Sequence, residues 1–339
     1  MTTHKIGLLL GNEEDWSLAF ETILGRLDLA IEHGGDTHRF TTDRITIEPF
    51  ALTAPPSYDF VIDRLAHWYY HPREWVKKVT LMDGVYAINN PFSFQAMEKH
   101  SAYAVMLRLG FKVPETWLIP YKKPVDNHRW AYTSAKYNKA FDIREVAEQI
   151  GYPMYMKPFE GGGWVGVSRI EGPDDLERAY DESGRTLMHL QKAVDYDVFT
   201  RSLTIGAETM VMKFRPERPM HDRYEVVHDF LDPDVGREVE TTGRVVNAFF
   251  RWEFNSCESL VAGDSVYPID YANACPDIAV TSLHYYFPWA ISRLIAWSVF
   301  CTTTRRPMSI SLDPDPWFRV ADAESSYAEK VEEYRFLAD

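Results

Sequence analysis

The sequence is poor in cysteine. Cys257, Cys275 and Cys301 are too few and too scattered for a disulfide framework or a zinc knot, so reduced, buried thiols are expected, as in a cytoplasmic protein. It also lacks basic excess: 36 Lys and Arg stand against 50 Asp and Glu, a formal net charge of −14. Nucleic acid and anionic lipid both need a basic surface, so neither is an expected partner. Long apolar runs are missing too. The best candidate, residues 288–300, falls short of the ~20 residues that a membrane helix needs and is interrupted by Arg293. The first residues run from a short apolar stretch directly into acids, unlike a signal peptide. There is no internal repeat and no low-complexity segment. What is abundant is ordinary globular material, 45% hydrophobic and 25% charged over 339 residues, enough for roughly two or three domains. In so acidic a chain, a phosphate ligand has to be held by a few placed cations, backbone amides and a metal.

Along the chain, an apolar strand at 5–10 feeds a helix with apolar residues at Trp16, Phe20, Ile23, Leu24 and Leu27. Further core strands are predicted at 58–66 and 85–90. This alternation implies a small α/β layer unit over 1–90. A second unit, 91–194, begins with a helix over 93–110 whose face includes Met97, Tyr103, Met106 and Leu107. It continues with a Pro-bounded strand at 113–121, a polar connector to 142, a helix closed by Gly151, and a strand–glycine loop–strand at 152–170. An acidic-started helix and a strand at 186–194 complete it. The third unit, 195–310, has alternating strands around 198–206 and 208–216 and a polar loop at 217–234. A helix leading into a strand, a strand at 265–277 and a long aromatic helix kinked or restarted at Pro288 follow. A charged helical tail fills 311–339.

Two features carry chemistry. The first is Lys157 followed by Gly161, Gly162, Gly163 and Gly166 in a turn between two apolar strands. Glycines let backbone N–H groups approach an anion closely, and the lysine adds a point charge. The plain alternative is a tight hairpin with a surface lysine. The spacing is not that of a Walker or Rossmann loop, whose glycines open a helix. The second feature places Glu253, Asp270 and Asn273 on strands flanking the Gly263-Asp264 turn, an oxygen set suited to Mg²⁺ completed by nucleotide phosphates. Its plain alternative is a pair of solvated strand-end acids.

Together with Lys99, Gln191 to Val194, Asp197 and Arg201, these residues occur in one order. That order resembles the ATP-grasp superfamily over about 58–300, in particular the branch with the glutamate-adding ribosomal-protein ligases and, more distantly, D-alanine–D-alanine ligase. Tyr58 to Arg64, Asn89-Asn90, Met97 to Lys99 and Val113 to Thr116 match its run-up. The resemblance implies a mixed α/β and α+β protein, with a small N-terminal α/β unit followed by two lobes that clamp ATP. Lys99 and Lys157 would hold the phosphates, and Gly161 to Gly166 would close over them as a lid. Gln191, Lys192 and Val194 would receive adenine, and Asp197 the ribose. Glu253, Asp270 and Asn273 would hold one or two Mg²⁺ ions, with Mn²⁺ an alternative. Arg201, with Lys213 or Arg215, would face the γ-phosphate. Two departures stand out. Asp270-Tyr-Ala-Asn273 is one residue longer than the family's Glu-x-Asn, which a bulge would accommodate, and Gln191 replaces the hinge acid.

The chemistry implied is an ATP-dependent carboxylate–amine ligation through an acyl phosphate, with small-molecule substrates. A kinase on the same scaffold and a regulator without turnover are the alternatives. A homodimer through the aromatic helix 284–300 stays open. Of the remaining polar residues, Met220 to Tyr224 is a candidate substrate loop and Arg64 a cleft-facing candidate. His228 with Asp229 reads as a surface pair, and His284 and Cys275 as packing. Trp164 reads as a packing latch or a shield for the phosphates.

Overall fold

The computed structural model describes residues 1–93, 98–274 and 276–339. Met97 and Cys275, both named above, lie outside the described residues.

The first sheet has the order β2-β3-β1-β4-β5, built from β1 (Thr2–Leu9), β2 (Ile31–His33), β3 (Asp36–Arg44), β4 (Phe60–Asp63) and β5 (Tyr86–Ile88). β1 runs parallel to β3 and β4, and β4 parallel to β5. Parallel strands covered on both faces read as apolar runs, which is why β1 and β4 are legible in the sequence. The β2–β3 hairpin is not apolar; it forms because Gly34 and Gly35 both adopt positive φ, which a two-residue hairpin turn needs. Helices α1 (Asp15–Leu27) and α2 (Tyr70–Asp83) complete this layer.

After α3 (Lys99–Arg108), the second sheet is antiparallel with order β6-β9-β7-β8. Its strands are β6 (Thr116–Ile119), β7 (Met154–Pro158), β8 (Ser168–Ile170) and β9 (Met188–Lys192). One face buries Met154, Met156 and Leu190 against α5 (Ile143–Ile150) and α6 (Pro173–Ser183). The opposite face, carrying Lys157 and Gln191, is left for the cleft. The stretch expected to be a polar connector contains α4 (His128–Tyr137), started by the Asn127 side chain accepting from the Arg129 and Trp130 N–H groups.

The third sheet, order β12-β11-β10-β13-β14, comprises β10 (Val198–Ile205), β11 (Glu208–Phe214), β12 (Tyr224–Glu225), β13 (Phe254–Ala262) and β14 (Ser265–Asn273). Helix α7 (Pro233–Phe250) crosses one face, so closely that a Cβ on Gly243 would come within 3.0 Å of Thr204 Oγ1. α3 packs on β14 and shares a core with α7. The long aromatic stretch breaks into α8 (Val280–Leu283), a single 3₁₀ turn and α9 (Phe287–Thr303), which restarts with Pro288 in its first turn. α9 is apolar on several sides because it bridges two sheets, packing Ile291 and Leu294 with Trp16 and Phe20 below and Leu203 and Ile205 above. α10 (Asp315–Asp322) and α11 (Tyr327–Ala338) dock on α7 through Trp317 and Tyr334. No helix among the described residues is long and apolar enough to cross a membrane.

Candidate active site

A cavity of about 390 Å³ opens between the second and third sheets, within the size range of small-molecule sites. The second sheet contributes Lys157 on β7 and the segment Gln191 to Val194. The third contributes Arg201, Glu258 and Asp270, while Trp68 reaches in from the first layer. The glycine loop covers it. Gly161, Gly163 and Gly166 take positive φ, and Trp164 sets its ring 6.4 Å from Tyr155 and 6.5 Å from Phe199, touching both walls.

The pleat of the third sheet decides which charges meet. Arg201 lies directly across from Glu258, and Glu258 across from Asp270, so a cation and two acids form one row on the cleft face. The extra residue in Asp270-Tyr-Ala-Asn273 is absorbed by a register shift: three steps on β14 oppose two on β13, and Asn273 pairs with Ser256. Asn273 Nδ2 donates to Ser256 Oγ at 2.9 Å, and Arg201 donates to the same oxygen at 3.2 Å.

Two lysines face this row. Lys99 Nζ, at the start of α3, lies 2.8 Å from Asp270 Oδ2. Lys157 Nζ donates to the Ile269 carbonyl at 3.1 Å and to Tyr103 Oη at 3.3 Å. Burial brings Lys157 down to about 8, against the pull of Asp270. Burial also pushes Glu258 up despite Arg201. For Asp270, burial is outweighed by Lys99 and Lys157, which hold its carboxyl below the usual range.

Several expected residues are placed elsewhere. Glu253 does not reach the cleft. It precedes β13, and its carboxylate accepts from Tyr86 Oη at 2.5 Å and Trp297 Nε1 at 2.9 Å, with Arg306 at 3.4 Å. The acid in the row is Glu258, which sequence reasoning missed. Counting outward from the Gly263-Asp264 turn pairs Asp270 with residue 257, and a second register shift, between the Ser259–Pro268 and Glu258–Asp270 pairs, moves that partner to 258. Lys213, on β11 beside the cleft-lining Phe214, and Arg215, just after the strand, are not part of the lining; both hold Glu225, at 3.1 and 3.3 Å. Asp197 accepts from the Gly263 N–H at the β13–β14 turn and is not part of the lining. Lys192 borders the cleft but spends its ammonium on the Gly151 and Tyr152 carbonyls. Gln191 donates to Thr116 Oγ1 at 2.7 Å. Arg64 pairs with Glu13 and donates to the Pro276 carbonyl at 2.5 Å. Met220, Arg223 and Tyr224 of the suspected substrate loop do line the cavity.

The donor set can be tested against a metal. Among the described residues, no group of three or more His, Cys, Asp or Glu converges. Two carboxylates and one amide do, on neighbouring strands and in one lining. That is too few ligands for a closed protein cage and suits Mg²⁺, which takes oxygen donors, retains water and shares phosphate oxygens.

Comparison with known proteins adds the fold. No family model matches the chain. Over 96 residues it is 31% identical to a D-alanine–D-alanine ligase of Halorhodospira halophila, covering 28% of this chain and 29% of that one. A 78-residue match to D-alanine–D-alanine ligase A of Chromobacterium violaceum is 33% identical, covering 23% and 19%. A formate-dependent phosphoribosylglycinamide formyltransferase of Pseudomonas aeruginosa matches at 31% over 70 residues, 19% and 18%. The chain therefore spans less than a third of the length of these curated relatives. Solved structures match much more of it. The D-alanine–D-alanine ligase of Bacillus anthracis complexed with ATP superimposes with a TM-score of 0.60 at 13% identity, over 89% of this chain and 98% of that one. A RimK domain ATP-grasp protein of Sphaerobacter thermophilus gives 0.57 at 12%, over 87% and 99%. The chain has the ATP-grasp fold. The cavity lies between the second and third sheets of that fold.

Proposed function

We propose that the chain is an ATP-dependent ligase that joins a carboxylate to an amine and forms ADP and phosphate through an acyl phosphate. The observation that carries this reading is the row Arg201–Glu258–Asp270 facing Lys99 and Lys157 beneath a glycine loop.

In this reading the adenine rests against the main chain of Gln191 to Val194. The β- and γ-phosphates extend toward Lys99 and Lys157. Glu258, Asp270 and Asn273 would hold Mg²⁺, whose chemistry when bound is to neutralise phosphate charge. Lys157 is held in place by the Ile269 carbonyl and Tyr103, so it is already oriented when phosphate arrives. Its lowered pKa reflects a desolvated cation that lacks a full partner, and an anionic phosphate supplies one. Arg201 stacks 5.7 Å from the Phe214 ring and keeps its charge at the end of the row, where the transferring phosphoryl group carries negative charge.

A carboxylate oxygen attacks the γ-phosphorus and ADP leaves. The amine then attacks the acyl carbon, phosphate departs, and the amine proton goes to solvent or to the leaving phosphate. Neither step uses a side-chain nucleophile. Trp164 and the glycines shield the acyl phosphate from water while it waits. Arg223, which lines the cavity as Trp68 and Met220 do and makes no ion pair among the described residues, would receive the substrate carboxylate in this reading.

A phosphate-release screen over paired acids and amines, followed by mass analysis of the product, tests the reading. Free phosphate that appears only when both substrates are present supports it. Phosphate retained on the product would make the chain a kinase instead.

A further inference from the structure

Charge is distributed unevenly over the second lobe, away from the cleft. Residues 121–141 hold five basic side chains (Lys122, Lys123, Arg129, Lys136 and Lys139) against one acid, Asp126. The segment is therefore +4 in a chain of −14, leaving −18 on the rest. Nearly all of it is exposed, including Tyr132 at 68% and Tyr137 at 71%; within α4 only Ser134 is buried. Lys123, Arg129, Lys136 and Lys139 make no ion pair among the described residues. On α4, Arg129, Tyr132 and Lys136 share the helix face opposite Ser134. Exposed tyrosines beside an arginine match the residue types that interfaces concentrate, and the lysines around them supply a charged rim.

Immediately beside this segment lies its electrostatic counterpart. A groove between the chain entering α5 and helix α6 is lined by Asp142, Glu145, Glu177 and Asp181 together with Phe141 and Tyr180; Arg144 pairs with Glu177 at 2.7 Å, while Asp142 and Glu145 make no ion pair among the described residues. α6 alone carries five acids and one arginine. The two patches are joined through Lys122, which reaches Asp181 at 2.5 Å, and through Lys123 N–H donating to the Gly184 carbonyl. An unrelated polyanion seated on α4 would be pressed against this acidic groove. A second copy of the chain, turned by a two-fold axis, would instead lay its basic α4 in the groove and offer its own groove to α4. Such an arrangement is self-complementary, as a two-fold interface requires.

We infer that the chain forms a two-fold dimer in which α4 of each copy docks in the α5–α6 groove of the other. The dimer is electrostatic at its rim and so weakens as salt rises.

Sedimentation equilibrium on the full chain tests this at low and at physiological salt. The expected result is a dimer whose dissociation constant rises at least about tenfold with salt and about tenfold or more in Arg129→Glu/Lys136→Glu. Glu145→Lys/Glu177→Lys should dissociate it equally. The two variants mixed in equal amounts should form a heterodimer, because each reversed patch then meets its complement. All four positions are exposed, and circular dichroism of each variant confirms the native fold before the comparison is made. A monomer in wild type at low salt up to about 100 μM would overturn the inference, since that leaves at most ~5.5 kcal/mol for association. So would a dimer indifferent to both reversals, a mixture that stays monomeric, or α4-dependent binding to anionic vesicles or RNA by a monomeric chain.

Discussion

Glu253 and Glu258 stand five residues apart, one just before β13 and one within it. Both are half-buried, and desolvation raises the pKa of both carboxyls. Their surroundings separate them. Glu253 meets a phenol, an indole and a guanidinium from the first layer, α9 and the residues after it, so its oxygens are occupied in joining those layers. Glu258 meets Arg201 on one side and a second acid, Asp270, on the other. Two acids held together are costly, and here Arg201, Lys99 and Lys157 offset that cost in a cluster of charges that lines a cavity. Two acids five residues apart thus differ in their partners because one lies within β13, facing the cleft, and the other just before it.

The largest expected break between the two is in turnover. Glu258→Gln should reduce ADP formation by about 10²–10³-fold, the usual cost of losing one stabiliser of transition-state charge, without lowering Tm. Glu253→Ala should leave turnover within about threefold yet cost ~1–3 kcal/mol of stability, because Tyr86 and Trp297 lose their acceptor. Coupled assays and thermal melts on the same two proteins check both halves. Equal effects on both quantities would erase the distinction.

A second change sharpens the joint. Gly206 has positive φ, and a Cβ there would meet Trp297 at 2.3 Å. Gly206→Ala should therefore displace the indole from Glu253 and destabilise the chain by ~1–3 kcal/mol, measured by urea unfolding, with nucleotide affinity little changed. The smallest expected effect is on the site side. Lys157 loses its proton near pH 8 in the free protein, and bound phosphate favours the protonated form. Nucleotide affinity should be full below pH 8 and fall as pH rises through it, whereas Lys157→Arg should show no such fall. Calorimetric titrations at pH 7 and 9 would show this.

The comparison also explains what could be read beforehand. β1, β4 and β7 are legible because buried strands leave apolar runs, and Lys157 with its glycines is legible because a covering loop needs positive φ. Glu253 was the natural choice for the acid because it is the more prominent one beside the aromatic run ending at Trp252. Only strand pairing shows that Glu258 is the one opposite Asp270. Lys213 and Arg215 fail similarly: their positions in the chain are close to the cleft, but neither is part of its lining, and both hold Glu225. The β2–β3 hairpin and α4 escaped notice because neither has an apolar pattern; one rests on two glycines, the other on an Asn cap. The packing of α3 on the third sheet, which brings Lys99 to Asp270, depends on contacts across 171 residues that no local pattern displays.

In the proposed function a metal–nucleotide complex sits on the Glu258–Asp270 row. Calorimetric titration of the chain with ATP, with and without Mg²⁺, tests it most directly when wild type, Glu258→Gln and Glu253→Gln are run side by side. Mg²⁺-dependent binding is expected, weakened at least about tenfold by Glu258→Gln and left within about twofold by Glu253→Gln. Binding lost with Glu253 and kept without the Glu258 carboxylate, or no binding at millimolar Mg-ATP, would contradict it.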